Sequence, residues 1–169
     1  MLKRPELLSP AGNLTKLKIA LEYGADAVYG SVASFSLRTR SAREFNLETF
    51  KEAIDYTHEK GKKFYATINA FPFNSQIEPL KRHLQTISAM KPDAFIIATP
   101  GVMSLAKEIA PDIEIHLSTQ ANVMNVLDAK IYHDMGAKRI VVAREMNLKD
   151  VIKIKEEIPT LDIEIFVHG

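Results

Sequence analysis

Glu6-Leu7-Leu8-Ser9-Pro10-Ala11-Gly12-Asn13 opens a helical stretch that closes at Gly24 and hands over to Asp26-Ala27-Val28-Tyr29. A short apolar run, a helix-length segment, a closing glycine and a second short apolar run make one β-α-β unit. The same unit recurs along the chain. Strand-like runs begin near Glu6, Asp26, Lys63, Ala94, Glu114, Arg139 and Ile163, seven in all, and six helices fit between them. Leu47, Phe50, Ile54 and Thr57 share one helical face, and Ile77, Leu80, Leu84 and Ile87 share another. Val123, Leu127, Ile131 and Met135 step by fours and predict a third apolar stripe. Asn46 and Asn147 read as N-caps, and Ser75 with Glu78 as a capping box. Pro79 falls in a first turn, where a missing N–H does least harm. Gly24, Gly61 and Gly136 close helices before the next strand.

Strict β-α alternation demands a parallel sheet with right-handed crossovers. An open doubly wound sheet and a (β/α)8 barrel both satisfy it. The turn Ser9-Pro10-Ala11-Gly12-Asn13 is no Gly-x-Gly-x-x-Gly fingerprint, so dinucleotide binding has no support. Polar residues at the C-terminal ends of nearly all strands favour the barrel. The expected fold class is α/β, a parallel (β/α)8 TIM-barrel-like fold, incomplete at seven strands and six helices. A closed barrel has eight strands. Residues 1–169 are therefore expected to be a single, truncated N-terminal barrel domain of a longer protein. Open edges on strands one and seven predict a dimer or a partly open sheet.

With 169 residues, 46% hydrophobic and 25% charged, the chain has the make-up of one soluble globular domain. Lys plus Arg is 22 against 21 for Asp plus Glu, which excludes a polybasic tail or an acidic solvating domain but not a local basic patch. The absence of cysteine excludes a disulfide scaffold, a Cys-ligated zinc site and a thiol nucleophile within these residues. No apolar run approaches the ~18 residues of a membrane span, and no signal peptide is expected ahead of Met1. The expected setting is cytoplasmic, with no membrane contact.

Barrel chemistry gathers at the C-terminal ends of strands. The candidates there are Ser9 and Asn13, then Tyr29 with Arg38 and Arg40, then Asn69 and Asn74, then Thr99. His116, Ser118, Gln120 and Asn122 follow the fifth strand, Arg144 and Glu145 the sixth, His168 the seventh. This set is rich in amides, Arg and His and poor in carboxylates, which suits a small anionic or amide-rich ligand better than metal-assisted hydrolysis. No metal site is expected. Arg38, Arg40 and Arg43 lie in a connection of ~17 residues, far beyond the usual βα loop, and Arg forks bind phosphate or carboxylate bidentately. The alternative is a solvated loop paired with Glu44 and Glu48. His116, Ser118 and Gln120 alternate as if on one inward strand face, where polar groups are expensive unless satisfied or used. Glu145 suits a general base or a partner that holds Arg144. Candidate catalytic residues are thus Glu145, His116 and His168. Candidate substrate-binding residues are Arg38, Arg40, Asn69, Ser118, Gln120, Asn122 and Arg144. His58, His83 and His133 lie within helices and read as non-catalytic. No zincin helix, Gly-x-Ser-x-Gly elbow, aspartic pair or Walker loop is present.

The residues also resemble a known family. Glu6 to Asn13, Gly24 to Tyr29, Phe35 to Arg40 and Pro100-Gly101-Val102 are similar to the N-terminal part of the peptidase U32 family. So are His116 to Asn122, Ala143-Arg144-Glu145 and Glu164-Ile165-Phe166-Val167-His168-Gly169. Members carry the label collagenase-like protease. Others hydroxylate nucleic-acid bases or ubiquinone precursors without molecular oxygen. Lys62-Lys63-Phe64-Tyr65 and Lys91-Pro92-Asp93-Ala94 point to the branch that makes 5-hydroxyuridine at the transfer-RNA wobble position, with prephenate as co-substrate. The resemblance implies a barrel and a cysteine-ligated iron–sulfur cluster, whose cysteines follow the segment matching Phe166 to Gly169. These residues alone then hold no cofactor and are expected to be inactive. Thr99, Phe73 and Gly30-Ser31-Val32-Ala33-Ser34 depart from the family's usual pattern. Three functions follow as expectations: part of a tRNA-modifying hydroxylase, an endopeptidase, or a non-catalytic anion- or RNA-binding module. In the first, Arg38 and Arg40 hold prephenate or RNA phosphate, and His116, Gln120, Asn122, Arg144 and Glu145 line the pocket.

Overall fold

Seven parallel strands form one sheet in chain order: β1 (Leu8–Pro10), β2 (Ala27–Gly30), β3 (Lys63–Ile68), β4 (Ala94–Ile97), β5 (Glu114–Leu117), β6 (Arg139–Val141) and β7 (Asp162–Glu164). The computed structural model describes residues 4–32, 35 and 45–168. Six α-helices connect the strands: α1 (Leu14–Glu22), α2 (Leu47–Glu59), α3 (Ile77–Ala89), α4 (Pro100–Ile109), α5 (Val126–Asp134) and α6 (Leu148–Glu157). The strand order never reverses, so right-handed crossovers place every helix on the same face. That excludes the doubly wound alternative and curls the sheet. The curl brings Glu6, just before β1, to within 2.6 Å of Arg139 on β6. β1 and β7 remain the two unpaired ends, so the barrel is incomplete, as the strand count predicts.

Alternation along the strands divides the core in two. Val28, Phe64, Phe95, Ile97, Ile115, Leu117 and Ile140 point outward into the large layer under the helices. Ala27, Tyr65, Ala94 and Ile96 point into the small inner core. Phe50 and Phe64 meet edge-to-face with centroids 5.1 Å apart, which locks α2 onto β3.

The helix ends follow the expected chemistry with one exception. Asn46 Oδ1 accepts from Thr49 N at 2.8 Å, and Asn147 Oδ1 from Asp150 N at 3.0 Å. Gly24, Gly61 and Gly136 have φ of 96°, 67° and 104°, the left-handed C-terminal conformation. The Ser75–Glu78 capping box does not form. A 3₁₀ turn over Asn74–Gln76 precedes α3, and Phe73 N donates to Gln76 Oε1 instead, at 2.8 Å. The turn starts earlier because Gln76 reaches back across it.

The stripe through Val123 also needs correction. α5 begins only at Val126, capped by Asn125, so Val123 is buried in the preceding loop. The helix buries Ala129, and Leu127 and Ile131 are 76% and 59% exposed. Within the helix the expected stripe thus breaks: Leu127 and Ile131 face solvent, and Met135, just past the helix end, packs on the core.

Candidate functional site

The C-terminal ends of the strands enclose a cavity of about 240 Å³ in the barrel mouth. Tyr29, Asn69, Ser118, Gln120 and Arg144 line it, all named from the sequence, together with Thr67 and Glu164, which were not. Gly30 shapes one wall: a Cβ there would meet Phe45 at 2.9 Å and the Ala11 carbonyl oxygen at 3.0 Å. Only glycine lets β2 approach the β1 loop this closely.

Ser118 and Gln120 do not share a strand face as the alternation suggested. β5 ends at Leu117, and Thr119–Ala121 form a 3₁₀ turn that closes at Asn122 with φ 54°. The turn is pinned because Ser118 N donates to Ile97 O at 2.7 Å and Thr119 Oγ1 to Val142 O at 3.2 Å. Gln120 folds back over the strand end. Its Oε1 accepts from Ser118 Oγ at 2.5 Å and from Asn69 Nδ2 at 2.8 Å. Two donors on one oxygen orient the amide and leave Nε2 as its donor end. Asn69, Ser118 and Gln120 are thus one preorganised polar cluster joining β3 to β5. Asn122 is exposed and does not line this cavity.

Arg144 lies over the Phe166 ring, 4.1 Å from guanidinium carbon to centroid. The pair is a flat cationic-aromatic wall between the mouth and a second cavity of about 370 Å³ beside α6. His168 lines that second cavity, not the mouth. Glu145 is exposed and lines neither. Asn13 and Thr99 serve as N-caps of α1 and α4. Arg38 and Arg40 fall outside the described residues.

A polar network fills the interior around the mouth's floor. Arg139 Nη1 donates to Glu6 Oε1 at 2.6 Å, and Tyr65 OH donates to the same oxygen at 2.7 Å. Burial opposes ionisation of Glu6, but these two donors outweigh it and hold the carboxyl below its usual range. Burial, reinforced by Glu6, pushes the Tyr65 hydroxyl up. Glu164 Oε2 sits 3.7 Å from Arg139 Nη1 and receives no hydrogen bond among the described residues. Burial pushes this carboxyl above its usual range, and the attraction of Arg139 only partly opposes it.

His116 packs edge-to-face on Tyr65, with centroids 4.5 Å apart, and is 1% exposed. Burial, with Arg139 and Lys63 adding repulsion, pushes its pKa down to about 3. The ring stays neutral at physiological pH and lines neither cavity. Its reading as an inward polar residue of β5 holds, but the structure gives it an interior position rather than one in the mouth.

These residues do not fit an iron–sulfur cluster. The chain has no cysteine, and among the described residues no three His, Asp or Glu side chains gather to hold a metal. No helix among the described residues is long and apolar enough to cross a membrane.

Residues 12–169 match the model of Peptidase family U32. The tRNA hydroxylation protein P of Helicobacter pylori is 65% identical over 164 residues, which are 97% of this chain and 39% of that protein. Its Escherichia coli namesake is 43% identical over 166 residues, 98% of this chain and 36% of that one. The 23S rRNA 5-hydroxycytidine C2501 synthase of Escherichia coli is 34% identical over 166 residues, 98% of this chain and 24% of that protein. Among solved structures, the U32 peptidase Mk0906 superposes with a TM-score of 0.76 at 16% identity, covering 98% of this chain and 70% of that one. That likeness is one of fold. The chain spans about two-fifths of the length of the tRNA hydroxylation proteins it matches.

Proposed function

Because the chain belongs to peptidase family U32, we propose that it is the barrel part of an RNA hydroxylation protein that makes 5-hydroxyuridine at the wobble position of transfer RNA. The 65% identity to a tRNA hydroxylation protein, sustained over 164 residues, carries this reading. The mouth suits it. Asn69, Ser118 and Gln120 offer an oriented hydrogen-bonding cluster, and Arg144 over Phe166 offers a flat surface for a planar base. Arg38 and Arg40 would neutralise RNA phosphate or the carboxylates of prephenate. The cluster that the family implies would supply the redox chemistry from cysteines outside these residues, since the chain has none.

Peptidase activity is the second reading, favoured by the family's name and by 37% identity to an uncharacterised protease, MJ0090, of Methanocaldococcus jannaschii. Mass spectrometry of tRNA nucleosides from cells with and without the full-length gene separates the two. The hydroxylase reading expects loss of 5-hydroxyuridine derivatives and their return with the gene. Unchanged nucleosides in a strain without a redundant enzyme, together with cleavage of gelatin by the pure protein, would favour the peptidase.

A further inference from the structure

We propose that Glu164 is a ligand-contacting residue of the mouth, whose carboxylate accepts a polar hydrogen from the base bound there. The inference rests on the reading of the mouth as the RNA site. Three observations carry it. Glu164 ends β7, the position where barrel strands present their working side chains, and it lines the mouth cavity. It is the sole carboxyl among the described residues that line that cavity. Its side chain is 20% exposed, and no hydrogen bond reaches Oε2 among the described residues.

The competing explanation is a structural ion pair with Arg139. That pair exists at 3.7 Å, but it leaves Oε2 without a hydrogen bond among the described residues. Arg139 Nη1 already serves Glu6 at 2.6 Å, whereas Glu164 stands off at 3.7 Å, beyond hydrogen-bond reach. Leaving a buried carboxyl oxygen without a donor is costly. An N–H or O–H of a bound ligand would supply the missing donor. Burial also raises the Glu164 carboxyl and shields it from bulk water. Thr67 Oγ1, a second buried atom without a hydrogen-bond partner among the described residues, lines the same cavity from β3.

The test uses the full-length, cofactor-loaded protein with its tRNA substrate. For Glu164→Gln, the expectation is tRNA affinity within about threefold of wild type and a loss of hydroxylation of 100-fold or more. Glu164→Asp should recover part of the rate. Glu22→Gln, which changes an exposed carboxyl on α1 away from both cavities, should leave the rate unchanged. The wild-type rate should climb with pH through a single carboxyl titrating above the ordinary range, and Glu164→Gln should lack that limb. Hydroxylation by Glu164→Gln within threefold of wild type would overturn the proposal while leaving the function intact. A wild-type rate that is flat from pH 4.5 to neutrality would also overturn it, without recourse to any variant. If wild-type protein with its cofactor modifies no tRNA, the functional reading fails first and takes this inference with it.

Discussion

Arg139 and Glu6 lie 133 residues apart in the chain and 2.6 Å apart in space, a direct charged hydrogen bond between the start of the sheet and its sixth strand. With Arg139 only 12% exposed, removing it takes the cation from Glu164 and leaves Glu6 only Lys63, 3.8 Å away. Arg139→Met in the full-length protein should cost about 3–5 kcal/mol, the usual result of orphaning a buried charge. Urea unfolding at neutral pH measures it. Glu6 is held below its ordinary value of 4.5, so its contribution is present above that value and fades as pH falls through the depressed folded one. The gap between Arg139→Met and wild type should therefore narrow in acid.

Glu164 titrates in the opposite sense. Its carboxyl is raised above 4.5, so the folded state binds its proton more tightly than the unfolded one, and stability falls as pH rises through this interval. Glu164→Gln should be as stable as wild type below pH 4.5 and more stable at neutral pH. Thermal melts across that range decide it. A variant that gains stability and loses hydroxylation would mark a site where function is kept at a structural cost.

His116 makes the interior acid-sensitive. A histidine at about 3 when folded and near 6.5 when unfolded withdraws stability as pH falls between those values. His116→Leu, of similar volume, should lose that acid sensitivity, a benefit of about 2–4 kcal/mol near pH 4. Among the described residues its Nδ1 has no hydrogen-bond partner to lose. Unfolding midpoints at pH 4 and 7 should differ less in the variant than in wild type.

Gly30→Ala brings a methyl group against Phe45 and a backbone oxygen. Phe45 can give a few tenths of an ångström, but the Ala11 carbonyl cannot without moving the β1 loop. The expected loss is about 1–3 kcal/mol, with a wider mouth and weaker RNA binding. Denaturant midpoints and a binding titration test both halves.

Arg144→Gln should weaken tRNA binding about 3- to 10-fold at low salt and reduce the salt slope by about 1, as expected for one lost phosphate or base contact. Phe166→Leu should lower affinity without altering that slope. Titrations at several salt concentrations separate charge from stacking.

The fold was legible because each unit announces itself locally. Gly24, Gly61 and Gly136 mark helix ends, Asn46 and Asn147 mark starts, and the strand runs between them are apolar enough to recognise. The mouth was half legible. Asn69, Ser118, Gln120 and Arg144 sit at strand ends, where a barrel advertises its site. Glu164 was hidden because Glu164-Ile165-Phe166-Val167 reads as one apolar strand with a polar edge, whereas β7 stops at Glu164. Alternation of Asp162, Ile163 and Glu164 was the available signal: with Ile163 packed under the helices, Glu164 must turn inward. Tyr65 and Arg139 were missed for a related reason. Each lies early in its strand, and only the curl of the sheet shows that they share one interior with Glu6.

Sequential strand order also dictates how the chain can fold as it is made. Every pairing from β1 to β7 joins neighbours in the chain, so each new β-α unit can dock on the one synthesised before it. Curling has to wait. At roughly 5–20 residues per second, the 133 residues between Glu6 and Arg139 take about 7–27 s to emerge. For that interval the nascent sheet has an N-terminal carboxylate with no guanidinium to meet, and the inner face stays accessible to chaperones. Arrival of Arg139 then acts as a late clasp, turning a growing ribbon into a vessel.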